Sequence, residues 1–197
     1  MTDPSHERSP SSRFLAGRML IAMPGIGDPR FERAVVLICT HDAEHAMGVA
    51  VNRPIEGLTV PSLLERLGVE RQIELPDDSV LLGGPVAPEN GFVLHTADYT
   101  CADASVVVGE DVALTATREV LTAMAGAGRR PRRSVLMLGY AGWGAGQLED
   151  EIRAGVWLTC DPDESLVFGG DHEHKWTMAL AKLGVTAERL SGQTGRA

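Results

Sequence analysis

The apolar residues of this chain arrive in short runs, and that shortness limits what they can build. Residues 18–23, 34–40 and 47–52 are apolar or β-branched, and each run is closed by Gly, Pro, Asp or Asn before a helical period is established. They read as three strands. The segments between them read as turns: PGIGDPRF carries two prolines and two glycines, and HDAEHA has the length of a hairpin connection.

After Asn52, Arg53 and Pro54 the period changes. Leu63, Leu64 and Leu67 fall at helical intervals behind Pro61, a residue accepted near a helix start, so residues 61–67 are expected to form a short helix ending near Gly68. Strand-like runs return at 80–82, 91–95 and 105–108. Residues 115–125 set Val120, Leu121 and Met124 on one face behind a Thr117 cap, with Gly126 and Gly128 as the stop. A strand over 134–138 then leads into a glycine-rich turn over 139–146 and a helix over 147–154. A strand over 156–159, a helix over 172–183 and a polar tail complete the chain. The expected organisation is one domain mixing α and β structure over residues 17–190, between a disordered tail at 1–16 and a flexible one at 191–197.

With 197 residues, 44% of them hydrophobic, such a domain buries a core without staples. Cys39, Cys101 and Cys160 are odd in number, widely spaced and outside any C-x-x-C pattern, so they read as reduced, buried side chains. The N-terminal stretch MTDPSHERSPSS has no apolar core of a secretory signal, and no apolar run approaches the roughly 18–20 residues needed to span a bilayer. The reading is a cytoplasmic protein with no membrane segment. A net charge of -9, from 27 acidic and 18 basic residues, repels polyanions, so no direct DNA binding is expected. The one basic patch, Arg129, Arg130, Arg132 and Arg133 around Pro131, reads as a solvated loop following a helix rather than a phosphate grip.

The strand, glycine-rich segment and helix over 134–154 have the outline of a phosphate-binding loop, but the residues refuse it. A dinucleotide fingerprint anchored on Gly142 and Gly144 needs a third glycine where Gln147 stands, and no Gly-Lys-Ser/Thr follows. Glu149, Asp150 and Glu151 fill the first turns of the helix, where they complement its dipole and repel phosphate. No serine or cysteine occupies the nucleophile position of G-x-S-x-G. Two histidine clusters, His41 with His45 and His172 with His174, lie beside carboxylates, yet neither has the spacing of an established metal site. No cofactor and no metal are expected. Trp143 reads as a core anchor or, if exposed on its glycine-rich segment, as a contact surface.

Several strings taken together carry a resemblance: MLIAMP from Met19, Asp28-Pro29-Arg30-Phe31, AMGVAVNRP from Ala46, GGPV from Gly83, GFVLH from Gly91 and GYAGWGAGQLEDE from Gly139. Their order over residues 17–185 resembles that of the AlgH-like family of bacterial proteins. Asn90 stands where many members have an arginine before GF, and His45 where they commonly have a glycine before AMG. The resemblance implies an α+β fold: a single domain with a bifurcated, barrel-like, mostly antiparallel sheet surrounded by helices. It implies an indirect transcriptional regulator, with no established enzymatic reaction, cofactor or DNA-binding motif to carry onto residues of this chain.

Two functions follow from these observations. The first is a non-enzymatic regulatory or protein-interaction protein with an unidentified protein partner and an oligomeric state that the sequence does not set. The alternative is a small-ligand-binding protein or enzyme using a pocket near residues 139–151. Either way the expected pocket or contact residues are Asn52, Arg53, His95, Trp143, Gln147 and Glu149, polar or amphipathic groups beside strand ends.

Overall fold

The computed structural model of the protein describes residues 14–101 and 104–191. Along the chain run β1 (Met19–Ala22), β2 (Val35–His41), β3 (His45–Ala50), β4 (Pro54–Thr59), α1 (Val60–Arg66), β5 (Ser79–Leu82), β6 (Val86–Thr96), β7 (Ser105–Val108) and β8 (Val112–Thr115). They are followed by α2 (Arg118–Ala125), β9 (Ser134–Gly144), α3 (Gln147–Arg153), β10 (Trp157–Cys160), α4 (Glu164–Phe168), α5 (Lys175–Lys182) and α6 (Ala187–Ser191). Of the expected tails at 1–16 and 191–197, residues 1–13 and 192–197 lie outside the described residues, whereas Phe14 packs against His41 and Leu15 against the core.

The strands lie in the order β10-β1-β2-β3-β9-β6-β8-β7, antiparallel along this path. The sheet forks at β9, where Leu81 and Leu82 of β5 add in parallel opposite Met137 and Leu138, and β5 carries β4 beyond it. It curls until β2 approaches β7, so the architecture is a forked half-barrel with helices around it. This is an α+β fold with a mostly antiparallel sheet.

Strands buried on both faces explain why the early runs show no clean alternation. Met19 and Ile21 of β1 point into the curl with Leu37 and Leu94, while Leu20 and Ala22 point outward against Val36, Trp143 and Trp157 beneath α3. A third cluster, including Leu64, Val93, Val120 and Leu136, fills the space under α1 and α2. Thr59 and Ser62 form a reciprocal capping box at the start of α1. Cys39, Cys101 and Cys160 are unpaired thiols and all buried. Among the described residues no helix is long and apolar enough to cross a membrane.

The glycine-rich segment differs from the sequence expectation. Residues 139–144 continue β9 instead of turning, pairing with β3 from His45 opposite Gly144 to Gly48 opposite Ala141. The reversal falls on Ala145 and Gly146, the latter at φ +71°. The glycines serve a backbone crossing: a Cβ on Gly84 would overlap the Tyr140 carbonyl, and one on Gly83 the carbonyl of Gly139. The expected helix behind the Thr117 cap forms as α2, from Arg118 to Ala125 with Gly126 at its end, while Thr115, at the start of that segment, belongs to β8.

Candidate functional site

The strand-to-helix reversal after β9 brings residues far apart in sequence around one carboxylate. Gln147 and Glu151 lie four apart on α3 and so share a face. The Trp143 indole N–H donates to Glu151 Oε2 at 2.9 Å and the Trp157 indole N–H donates to the same oxygen at 2.7 Å. The Gln147 amide donates to Oε1 at 2.8 Å, while its own carbonyl accepts the Gly144 N–H. Three donors on one carboxylate fix the helix, the strand end and β10 together. The two indoles meet edge to face at 6.0 Å, and Phe31 stands edge-on to Trp157 at 5.6 Å.

Beside this cluster is a cleft of about 410 Å³. Its walls include Ile26, Phe31, Pro85, Val86, Trp143 and Trp157, with Gln147 and Glu151 at one side. Arg30 and Asp28 stand at its mouth, joined by three side-chain hydrogen bonds, and the Arg30 guanidinium holds the Asp28 carboxyl below its ordinary range. A 3-10 turn, Pro29–Phe31, carries this wall; the Asp28 carboxylate caps it by accepting the Arg30 N–H. The strings that resemble the AlgH-like family therefore meet here: Asp28 to Phe31, Pro85 with Val86, and Trp143 to Glu151.

Of the six residues expected to form a site, Trp143 and Gln147 line the cleft. Arg53 braces it from behind, its guanidinium donating to the carbonyls of Glu32 and Pro29, both at 3.4 Å. Asn52 is a bracket: its amide oxygen accepts the Val35 N–H and its NH2 donates to Arg33 O, fixing Arg33 at φ +53°. Glu149 lies elsewhere on α3 and meets the buried His41, whose Nε2 is 3.2 Å from Glu149 Oε1. His41 Nδ1 accepts the Leu15 N–H, so the ring donates from Nε2 to the carboxylate.

His95 sits apart from the cleft, fully buried in β6. Its Nδ1 donates to Thr96 O at 3.0 Å, leaving Nε2 to accept from Thr115 Oγ1 at 2.8 Å. Thr115 in turn meets Ser105 Oγ at 2.6 Å, so the imidazole staples β6, β8 and β7 through a satisfied polar chain. Sequence reasoning missed Asp28, Arg30 and Glu151. The i, i+4 relation between Gln147 and Glu151 was the signal that separates Glu151 from Glu149.

Other candidate groups are also engaged. Arg129 donates to Asp98 O, while Arg132 and Arg133 share the Glu164 carboxylate and Arg133 reaches Phe168 O. The arginine loop thus clamps α4 rather than presenting a phosphate grip. His45 pairs with Asp42 and His174 with Asp171. Lys175 is 1% exposed and donates from Nζ to Val51 O and Val167 O. Burial, aided by the Arg133 charge, lowers its amine to about 8.

Comparisons with known proteins agree with the fold. The model of the AlgH-like family matches residues 19–188. A UPF0301 protein of Caulobacter vibrioides is 64% identical over 184 residues, covering 93% of this chain and 94% of its own. One of Bradyrhizobium diazoefficiens is 46% identical over 194 residues, covering 95% and 90%. The solution structure of the AlgH protein from Pseudomonas aeruginosa, 36% identical, superposes with a TM-score of 0.71 and covers 100% of this chain and 99% of that one. A crystal structure of a Corynebacterium diphtheriae protein, 19% identical with a TM-score of 0.69 and covering 90% and 91%, shares the fold.

Proposed function

This chain belongs to the AlgH-like family, and from that premise we propose that it is a non-enzymatic interaction protein whose partner docks in the Trp143–Trp157 cleft. Its influence on gene expression is exerted through that partner. The observation that carries this reading is the condition of Glu151. Its carboxylate accepts two indole N–H groups and one amide, so both of its oxygens are engaged in holding the fold. What remains for a ligand is surface: aromatic edges with Ile26, Pro85 and Val86, and a paired Arg30–Asp28 rim. An apolar centre with a polar rim is the anatomy of a protein-binding hot spot. Direct DNA contact has no support, because the net charge is -9 and Arg129, Arg132 and Arg133 are occupied within the fold.

Val86 offers the test, since it lies at the cleft and is 38% exposed, leaving room for a longer side chain. Tagged wild type and Val86→Arg are expressed in the native cell and their bound proteins quantified by mass spectrometry. One or more partners held by wild type and depleted at least about tenfold by the variant, at equal melting temperature, is the expected result; tenfold corresponds to about 1.4 kcal/mol. Identical partner profiles contradict the reading.

A further inference from the structure

We propose that a second cavity, at the opening of the half-barrel, binds an aliphatic polyamine. This cavity measures about 850 Å³, within the range of small-molecule sites. It opens where the curled sheet stops short of closing, between the turn joining β7 to β8 and the connection from β10 to α4. None of its lining residues belongs to the Trp143–Trp157 cleft, so the proposal stands independently of that site.

The cavity has an apolar interior and acidic walls. Leu37, Val108, Val112 and Phe168 supply hydrocarbon surface. Glu110 and Asp111 stand on one side, exposed on the β7–β8 turn, and among the described residues neither holds an ion pair. Asp161, Asp163 and Glu164 stand opposite, already paired with Arg18, Lys182, and Arg132 with Arg133. Counting Asp98, which accepts the Arg132 N–H, six carboxylates among the described residues face four paired cations, an excess of negative charge that falls on Glu110 and on Asp111, the latter within the field of Arg132.

The ligand that complements both features carries cations separated by hydrocarbon. An ammonium group placed against Glu110 and Asp111 gains their attraction, strengthened by the low-dielectric floor beside them. The methylene chain then covers the floor, and further ammonium groups answer the field of the opposite wall. A bare metal ion leaves the apolar surface uncovered, and an anion meets the excess carboxylates. Spermidine has the required alternation of charge and methylene.

The experiment is isothermal titration of the full chain with spermidine at about 20 mM ionic strength, where screening is weak. One-to-one binding with a Kd below about 1 mM is expected. The Glu110→Gln, Asp111→Asn double variant should weaken it at least about tenfold without changing the melting temperature, because both side chains are on an exposed turn. Octane-1,8-diol, which keeps the hydrocarbon and removes the charge, should not bind. The proposal is overturned if spermidine produces no saturable heat, if the double variant binds as wild type does, or if the diol binds equally. Full displacement by magnesium at matched ionic strength would also overturn it, since that outcome means counterion exchange alone.

Discussion

Replacing Trp143 with alanine removes the side chain on which the cleft and the outer core both depend. The residue is 5% exposed, its ring meets Trp157 at 6.0 Å, and its N–H is one of the three donors on Glu151. Emptying a buried aromatic site costs about 3–5 kcal/mol, and the edge-to-face pair and charged hydrogen bond lost with it argue for the middle of that range. A loss of about 4 kcal/mol is a large share of the 5–15 kcal/mol typical of a folded domain. Urea unfolding followed by far-UV circular dichroism reads it directly; with a slope of about 2–3 kcal/mol/M, the midpoint should fall by about 1.3–2 M. Trp143→Phe keeps most of the volume but removes the donor with the smaller ring of the indole, so it should cost about 2 kcal/mol. A loss below about 1 kcal/mol for the alanine variant would refute the reasoning, because that is the behaviour of a surface position.

Gly84→Ala should prevent folding, detected as insoluble expression or a lost thermal transition, because its Cβ overlaps the Tyr140 carbonyl at the sheet crossing. Lys175 should make stability rise with pH: its folded amine titrates near about 8 against an ordinary 10.5, so the unfolded state binds more protons between those values. The gain is about 1 kcal/mol from pH 7 to 9. Above that, Cys39 and Tyr99, each raised to about 12 chiefly by burial, oppose it. Lys175→Met should abolish the rising limb, and an unchanged pH profile of urea midpoints would contradict the assignment. Chelation should leave the melting temperature unchanged, since His41, His45 and His174 each have a carboxylate partner within the fold; a drop restored by zinc would reverse that expectation.

Elements with a strong local signal were legible in the sequence. The hairpin at Asp42 is one, where the carboxylate accepts the Glu44 and His45 N–H groups, and the Pro61 helix with its leucine spacing is another. The end of β9 was not legible, because Gly139, Gly142 and Gly144 read locally as a turn while the ladder that makes them a strand comes from β3 and the room they leave is taken by Gly83 and Gly84. β4 was hidden by its Pro and Gly and by a ladder to β5 with a register shift between Pro54 and Thr59. Helix α4, only five residues long, carries too little periodicity to announce itself. For the site, Trp143 and Gln147 stood within one recognisable string, but Arg30 reaches the cleft only through the fold. His95 looked available because its strand-end position was visible and its burial against Thr115 was not.

The central claim is that a partner docks at the Trp143–Trp157 cleft, and site-specific photo-crosslinking in living cells tests it most directly. A photoreactive side chain placed at Val86 reports on the cleft, and one at Glu70, exposed and outside it, reports on general encounter. A discrete protein adduct from position 86 that is absent from position 70 and disappears with Arg30→Glu is the result this account predicts. Equal adducts from both positions, or none from position 86, would contradict it.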